Sequence, residues 1–152
     1  MEAFEIFAEM SIAMLGFSGL MVAISDVSTL IVARVRGLLF FASIAAICSA
    51  LPLTGLSLVL CAFVYIVLVG YMNVWSYSNF FKVTQARASK GIYFVLTSAL
   101  LVAMSALLYC IFYAADMLYQ AYMGALAVVL FCSGTFFVRM VLFLVTEKEG
   151  ST

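Results

Sequence analysis

Five apolar stretches, each about as long as a bilayer is thick, divide this chain almost from end to end. They run over residues 4–25, 28–51, 54–79, 91–114 and 121–146. A helix needs roughly 20 apolar residues to cross ~30 Å of hydrocarbon. Away from water, a stretch of that kind is stable as a helix, which satisfies its own backbone N–H and C=O groups. The predicted fold is all-α: one integral membrane bundle of about five transmembrane helices over residues 1–152, multi-pass in the cell membrane. Its N-terminus is expected outside the cytoplasm and its C-terminus inside.

Composition leaves little room for another solvent. Apolar residues make up 68% of the chain and charged residues 9%, against about 25% charged in an ordinary soluble domain. A chain this short has too much surface to hide that excess in a core, so the surface must face lipid. Net charge is zero, so nothing suggests a nucleic-acid surface, and no nucleic-acid partner is expected. Histidine is absent, and with it histidine-ligated haem or zinc and any His-based catalytic triad. The cysteines Cys48, Cys61, Cys110 and Cys132 lie within apolar runs without a C-x-x-C pair. They read as small buried hydrophobes, with neither metal nor cofactor expected. Gly16-Phe17-Ser18-Gly19 departs from the G-x-S-x-G nucleophile elbow and lies within a helical run, so an enzyme is not expected. The leading residues carry Glu2 and Glu5 where a signal peptide would carry positive charge.

The breaks between the runs set an orientation. Asp26 or Ser28 can cap the second helix; Pro52 ends it and opens a short turn. Residues 82–90 form a polar loop, and 116–120 the last turn. Five spans place Arg34, Arg36, Lys82, Arg87, Lys90, Arg139 and Lys148 on one side with Asp26, Glu147 and Glu149, a net charge of +4. The other side holds Glu2, Glu5, Glu9 and Asp116, a net charge of −4. The basic side should be cytoplasmic. Trp75, Tyr77 and Tyr93 are predicted at the inner interface, and Tyr113, Tyr119 and Tyr122 at the outer one. Arg34 and Arg36 either snorkel from the second span, or residues 29–36 form an interfacial helix before a shorter one.

Helical periodicity then sorts the helix faces. Glu2, Glu5, Glu9, Ile12, Gly16, Gly19 and Ala23 share a stripe of the first helix about 100° wide. Phe7, Met10, Met14, Phe17 and Met21 lie opposite. Small residues allow close helix approach in lipid, so the small, acidic stripe is expected to face the protein or an oligomer interface, and the bulky face to look at lipid. Glu9 lies inside the apolar run, where an ionised carboxylate costs on the order of 2–3 kcal/mol at the centre and less near the interface. Ala99, Ala103, Ala106 and Cys110 on the fourth helix, and Ala121, Ala125, Val128, Cys132, Thr135 and Arg139 on the fifth, read as packing stripes. Arg139 is expected to pair with Asp26. Asn73, Ser76 and Asn79 are expected to bond between helices. Two functions follow from this pattern. One is a homo-oligomeric ion channel or transport protein whose outer mouth is lined by Glu5, Glu9 and Asp116. The other is a non-catalytic accessory, assembly or lipid-organising subunit of a larger membrane complex. Expected partners are the bilayer and either a second copy or another membrane subunit.

Overall fold

The computed structural model describes residues 2–24, 29–83 and 87–149. Within them, side chains are described for residues 2–17, 19–20, 37–75, 91–92, 94–139 and 141–142. The chain forms helices α1 (Glu2–Ile24), α2 (Thr29–Ala50), α3 (Leu58–Val83), α4 (Arg87–Tyr113) and α5 (Leu118–Glu149). Among the described residues there is no strand. Four helical stretches there are long and apolar enough to cross a bilayer: Gly37–Thr54, Leu58–Trp75, Phe94–Tyr113 and Ala115–Arg139. This is the pattern of a multi-pass membrane protein. Residues 29–36 are continuous in one helix with the apolar stretch that begins at Gly37.

Ring contacts fix the helix directions. Phe4 meets Tyr119 and Tyr122 with centroids 5.7 and 6.0 Å apart, and Phe17 meets Phe137 at 5.0 Å, so α1 and α5 run parallel. Phe41 stacks on Phe136 at 5.5 Å, and Phe40 leans on Trp75 at 5.2 Å. α2 therefore runs antiparallel to both α3 and α5. It lies between α1 and α5, and α5 packs in turn along α4. The backbone gathers the start of α1, the α2–α3 connection and Asp116 at one end. The segments bearing Arg34, Arg36, Lys82, Arg87, Lys90 and Lys148 lie toward the other.

Proline shapes the first of these ends. Residues Leu51–Thr54 form a 3-10 turn with Pro52 in its first positions, closed by Gly55 at φ 83°. That left-handed backbone is open to glycine and strained for other residues. The Gly55 N–H donates to the Pro52 carbonyl at 3.2 Å. Pro52 also withholds an N–H from the carbonyl of Cys48, four residues earlier. The Tyr122 hydroxyl donates to that carbonyl at 2.6 Å, across from α5. Tyr65 on α3 donates likewise to the Ala125 carbonyl at 2.9 Å.

Tyr122, expected at the outer interface, is buried within the bundle at 0% exposure. Helix α5 opens at Leu118, just after the 3-10 turn Ala115–Met117. Tyr122 then falls one turn in, on the face that continues as Leu126 and Val129. Tyr113 and Tyr119 remain exposed. All four cysteines are buried and free. The polar residues mostly bond their own helices: Asn73 to Val69, Ser49 to Ala45, Ser105 to Leu101 and Thr135 to Phe131. Asn73 thus departs from the expected interhelical bond, because a carbonyl one turn back is within reach of its short side chain. Ser76 and Asn79 lie outside the described side chains.

Two substitutions test this account in detergent-solubilised protein. Tyr122→Phe keeps the ring and removes the donor, and is expected to cost about 1 kcal/mol in denaturant unfolding. Gly55→Ala, at positive φ with no steric neighbour, should cost about 1–2 kcal/mol through backbone strain alone.

Candidate functional site

Membrane helices gain little from separating apolar from less apolar faces when the solvent is lipid, so the roll of each helix is set by packing. On α1 the large side chains pack best. Phe4 is buried against the rings of Tyr119 and Tyr122, and Phe7 and Met14 are half-buried against the same core. Ser11, between them, is buried and donates to the Phe7 carbonyl at 2.6 Å. Of the two alternatives expected for the acidic stripe, a place inside the protomer is therefore not the one taken. Of the residues assigned to lipid, Phe7 and Met14 turn inward; Met10 is exposed, and Phe17 sits at the edge against Phe137. Met21 lies outside the described side chains. A phenyl ring or thioether seated against this core gains dispersion contacts that a glycine cannot supply.

The opposite face of α1 is consequently open. Glu2, Glu5, Glu9, Ile12, Gly16 and Gly19 are all exposed, flanked by Ile6, Ala13 and Leu20. A Cβ placed on Gly16 or Gly19 meets no atom within 4 Å. Within one protomer, the small, acidic stripe therefore faces away from the bundle. Asp116 is exposed in the 3-10 turn before α5, at the same end as Glu2 and Glu5 but on a different element. The side chain of Ala23 and all of Asp26 lie outside the described residues. Arg139 is half-buried near the far end of α5.

The other packing positions divide. Ala103 and Ala125 are buried, Ala99 is half-buried and Ala106 is exposed. The buried seam of α4 is Leu96, Leu100, Ala103, Leu107 and Cys110; Ala106 falls a quarter-turn off it. On α5, Cys132 is buried beside Ala125, and Ala121, Val128 and Thr135 are half-buried.

The interior offers little chemistry. It is lined by aliphatic and aromatic side chains, four thiols and the two phenols, both of which donate to carbonyls. Among the described residues no group of His, Cys, Asp or Glu is arranged to hold a metal ion. The Ser133 hydroxyl is buried in α5 without a hydrogen-bond partner. Sequence reading missed the structural role of Tyr65. Its signal was available: a tyrosine two turns inside an apolar run needs an acceptor for its hydroxyl.

No family model, curated protein or solved structure matches this chain.

The two faces of α1 should respond differently to substitution. Phe4→Ala is expected to destabilise the solubilised protomer by about 3 kcal/mol. Gly16→Leu and Gly19→Leu, projecting into open space, should shift it by less than about 0.5 kcal/mol. Denaturant titrations in detergent compare them directly.

Proposed function

We propose that this chain is a non-catalytic subunit of a larger assembly in the cell membrane, which it joins through the outer face of α1. We further propose that all five helices cross the bilayer, with the N-terminus outside and the C-terminus cytoplasmic. At 23 residues, α1 is about 34 Å long, enough to span the hydrocarbon core. Every Lys and Arg falls toward the end proposed as cytoplasmic.

The observation that carries the proposal is the outward placement of Glu5 and Glu9 on the same face as the open Gly16 and Gly19. A carboxylate held in the apolar zone requires compensation, and the bundle turns this one away from its own polar groups. Close-packing residues on the same face supply the geometry for another helix backbone to approach. Both features favour a lateral contact outside the protomer.

A second reading has one observation in its favour. The joint exposure of Glu5 and Glu9 also suits a homo-oligomeric cation channel, in which several α1 faces surround an axis and carboxylate rings concentrate cations. The apolar filling of the protomer interior means that conduction would have to follow that axis.

Three measurements test these readings. Mild extraction and native electrophoresis should give a complex larger than the protomer, which dissociates on combining Gly16→Leu with Gly19→Leu. Proteoliposomes of the purified protein should show no ion flux above empty vesicles. Flux lost on Glu9→Gln would replace the subunit reading with the channel. For orientation, Glu2→Cys should react with an impermeant maleimide from outside intact cells, and Lys148→Cys only after permeabilisation; the four native thiols are buried.

A further inference from the structure

We propose that the end of the bundle opposite the Pro52 turn binds anionic phospholipid, its cations meeting lipid phosphates in the headgroup layer. Contacts between helices fix the heights of the basic residues along the bundle. Phe40 of α2 meets Trp75 of α3 at 5.2 Å, and Phe41 stacks on Phe136 of α5 at 5.5 Å. A Cβ on Gly70 of α3 would lie 3.4 Å from the Met104 side chain of α4. At about 1.5 Å per residue, Arg36 and Arg34 of α2 then lie about 6 and 9 Å beyond the level of Trp75. Lys82 of α3 lies about 10 Å beyond it, and Lys90 of α4 about 13 Å. The topology thus gathers four cations from three helices into a layer less than about 10 Å thick. Among the described residues, the acids of this end are Glu147 and Glu149. They follow Phe136 along α5 and lie about 15 Å or more beyond Trp75, outside that layer.

The layer matches the headgroup region of a bilayer. From Leu58 to Trp75, α3 has 18 apolar-rich residues, about 27 Å, close to the thickness of the hydrocarbon core. With Leu58 at one boundary, Trp75 stands at the other, where tryptophan is favoured. The polar region beyond each boundary is roughly 5–8 Å deep, and the long stems of Lys and Arg carry their charges several Å along it. Cations at this depth stand among lipid phosphates, with which they form charge-assisted hydrogen bonds. A zwitterionic lipid sets its own ammonium beside each phosphate, so the preference goes to lipids of net negative charge. The reverse end carries Glu2, Glu5 and Asp116 and, among the described residues, no Lys or Arg. Selectivity therefore belongs to one end of the bundle, whichever side of the membrane that end faces.

Trp75 is the chain's only tryptophan and is half-buried, so its fluorescence reports the lipid at this level. The purified protein is reconstituted in phosphatidylcholine vesicles containing either brominated phosphatidylglycerol or brominated phosphatidylcholine, whose acyl-chain bromines quench a nearby indole. Quenching should show phosphatidylglycerol bound about fivefold more tightly than phosphatidylcholine. Raising NaCl to about 0.5 M should weaken that preference. Arg36→Gln combined with Lys82→Gln should bring the ratio close to one, whereas Lys148→Gln, beyond the layer, should leave it. An unchanged Trp75 emission maximum shows that a variant is folded; Arg34→Gln with Lys90→Gln replaces the first pair if it is not. Moving the reporter to the other end, with Trp75→Phe and Tyr113→Trp, should show no preference. Equal quenching of Trp75 by the two lipids in the unsubstituted protein overturns the proposal, as does an equal preference reported from the Tyr113→Trp protein. Loss of the preference in inorganic phosphate, at an ionic strength where chloride preserves it, assigns the cations to a soluble anion and overturns it too.

Discussion

The hydrogen bond from Tyr122 to the Cys48 carbonyl is the contact on which the rest of the bundle is registered. Pro52 ends α2 and gives no N–H to that carbonyl, so a buried acceptor is left that only a neighbouring helix can satisfy. Tyr122 supplies the donor at 2.6 Å and sets the register of α5 against α2. Its ring meets that of Tyr65 at 6.3 Å, and Tyr65 bonds the Ala125 carbonyl, bringing in α3. Phe4 then packs edge-on to the Tyr122 ring, and this contact sets the roll of α1. The face that α1 presents outward therefore depends on a proline in another helix.

That chain of dependence marks where the sequence is legible and where it is not. Helix positions follow from the length of the apolar runs, because lipid leaves the backbone no alternative to satisfying itself. Burial of the four thiols follows from their apolar surroundings. The roll of α1 does not follow. A stripe of small residues indicates close packing without saying whether the neighbour belongs to the same chain. The decision falls to shape, which depends on rings supplied by α5 more than a hundred residues later. The burial of Tyr122 was illegible for a related reason. An interfacial tyrosine and a buried one differ only in whether an acceptor lies within reach, and the acceptor here exists because of Pro52, seventy residues away in sequence.

Hydrogen bonding divides along the same line. Serine, threonine and asparagine have short side chains that find a carbonyl one turn back, so they spend their donors on their own helices. Tyrosine is long enough to reach the next helix. Tyr65 and Tyr122 thus bond from one helix to another, while Asn73, which sequence reading favours as interhelical glue, is occupied locally. Ser133 is the exception: it is buried with its hydroxyl unpartnered, on the central face of α5.

The separation of roles on α1 follows from these constraints. Phe4, Phe7 and Met14 fasten the helix to the bundle, and the glutamates and glycines on the reverse side are left free of structural duty. Glu5 and Glu9 therefore stand on the face that the described bundle does not use, and their exposure there is a consequence of how the rings of α5 hold Phe4.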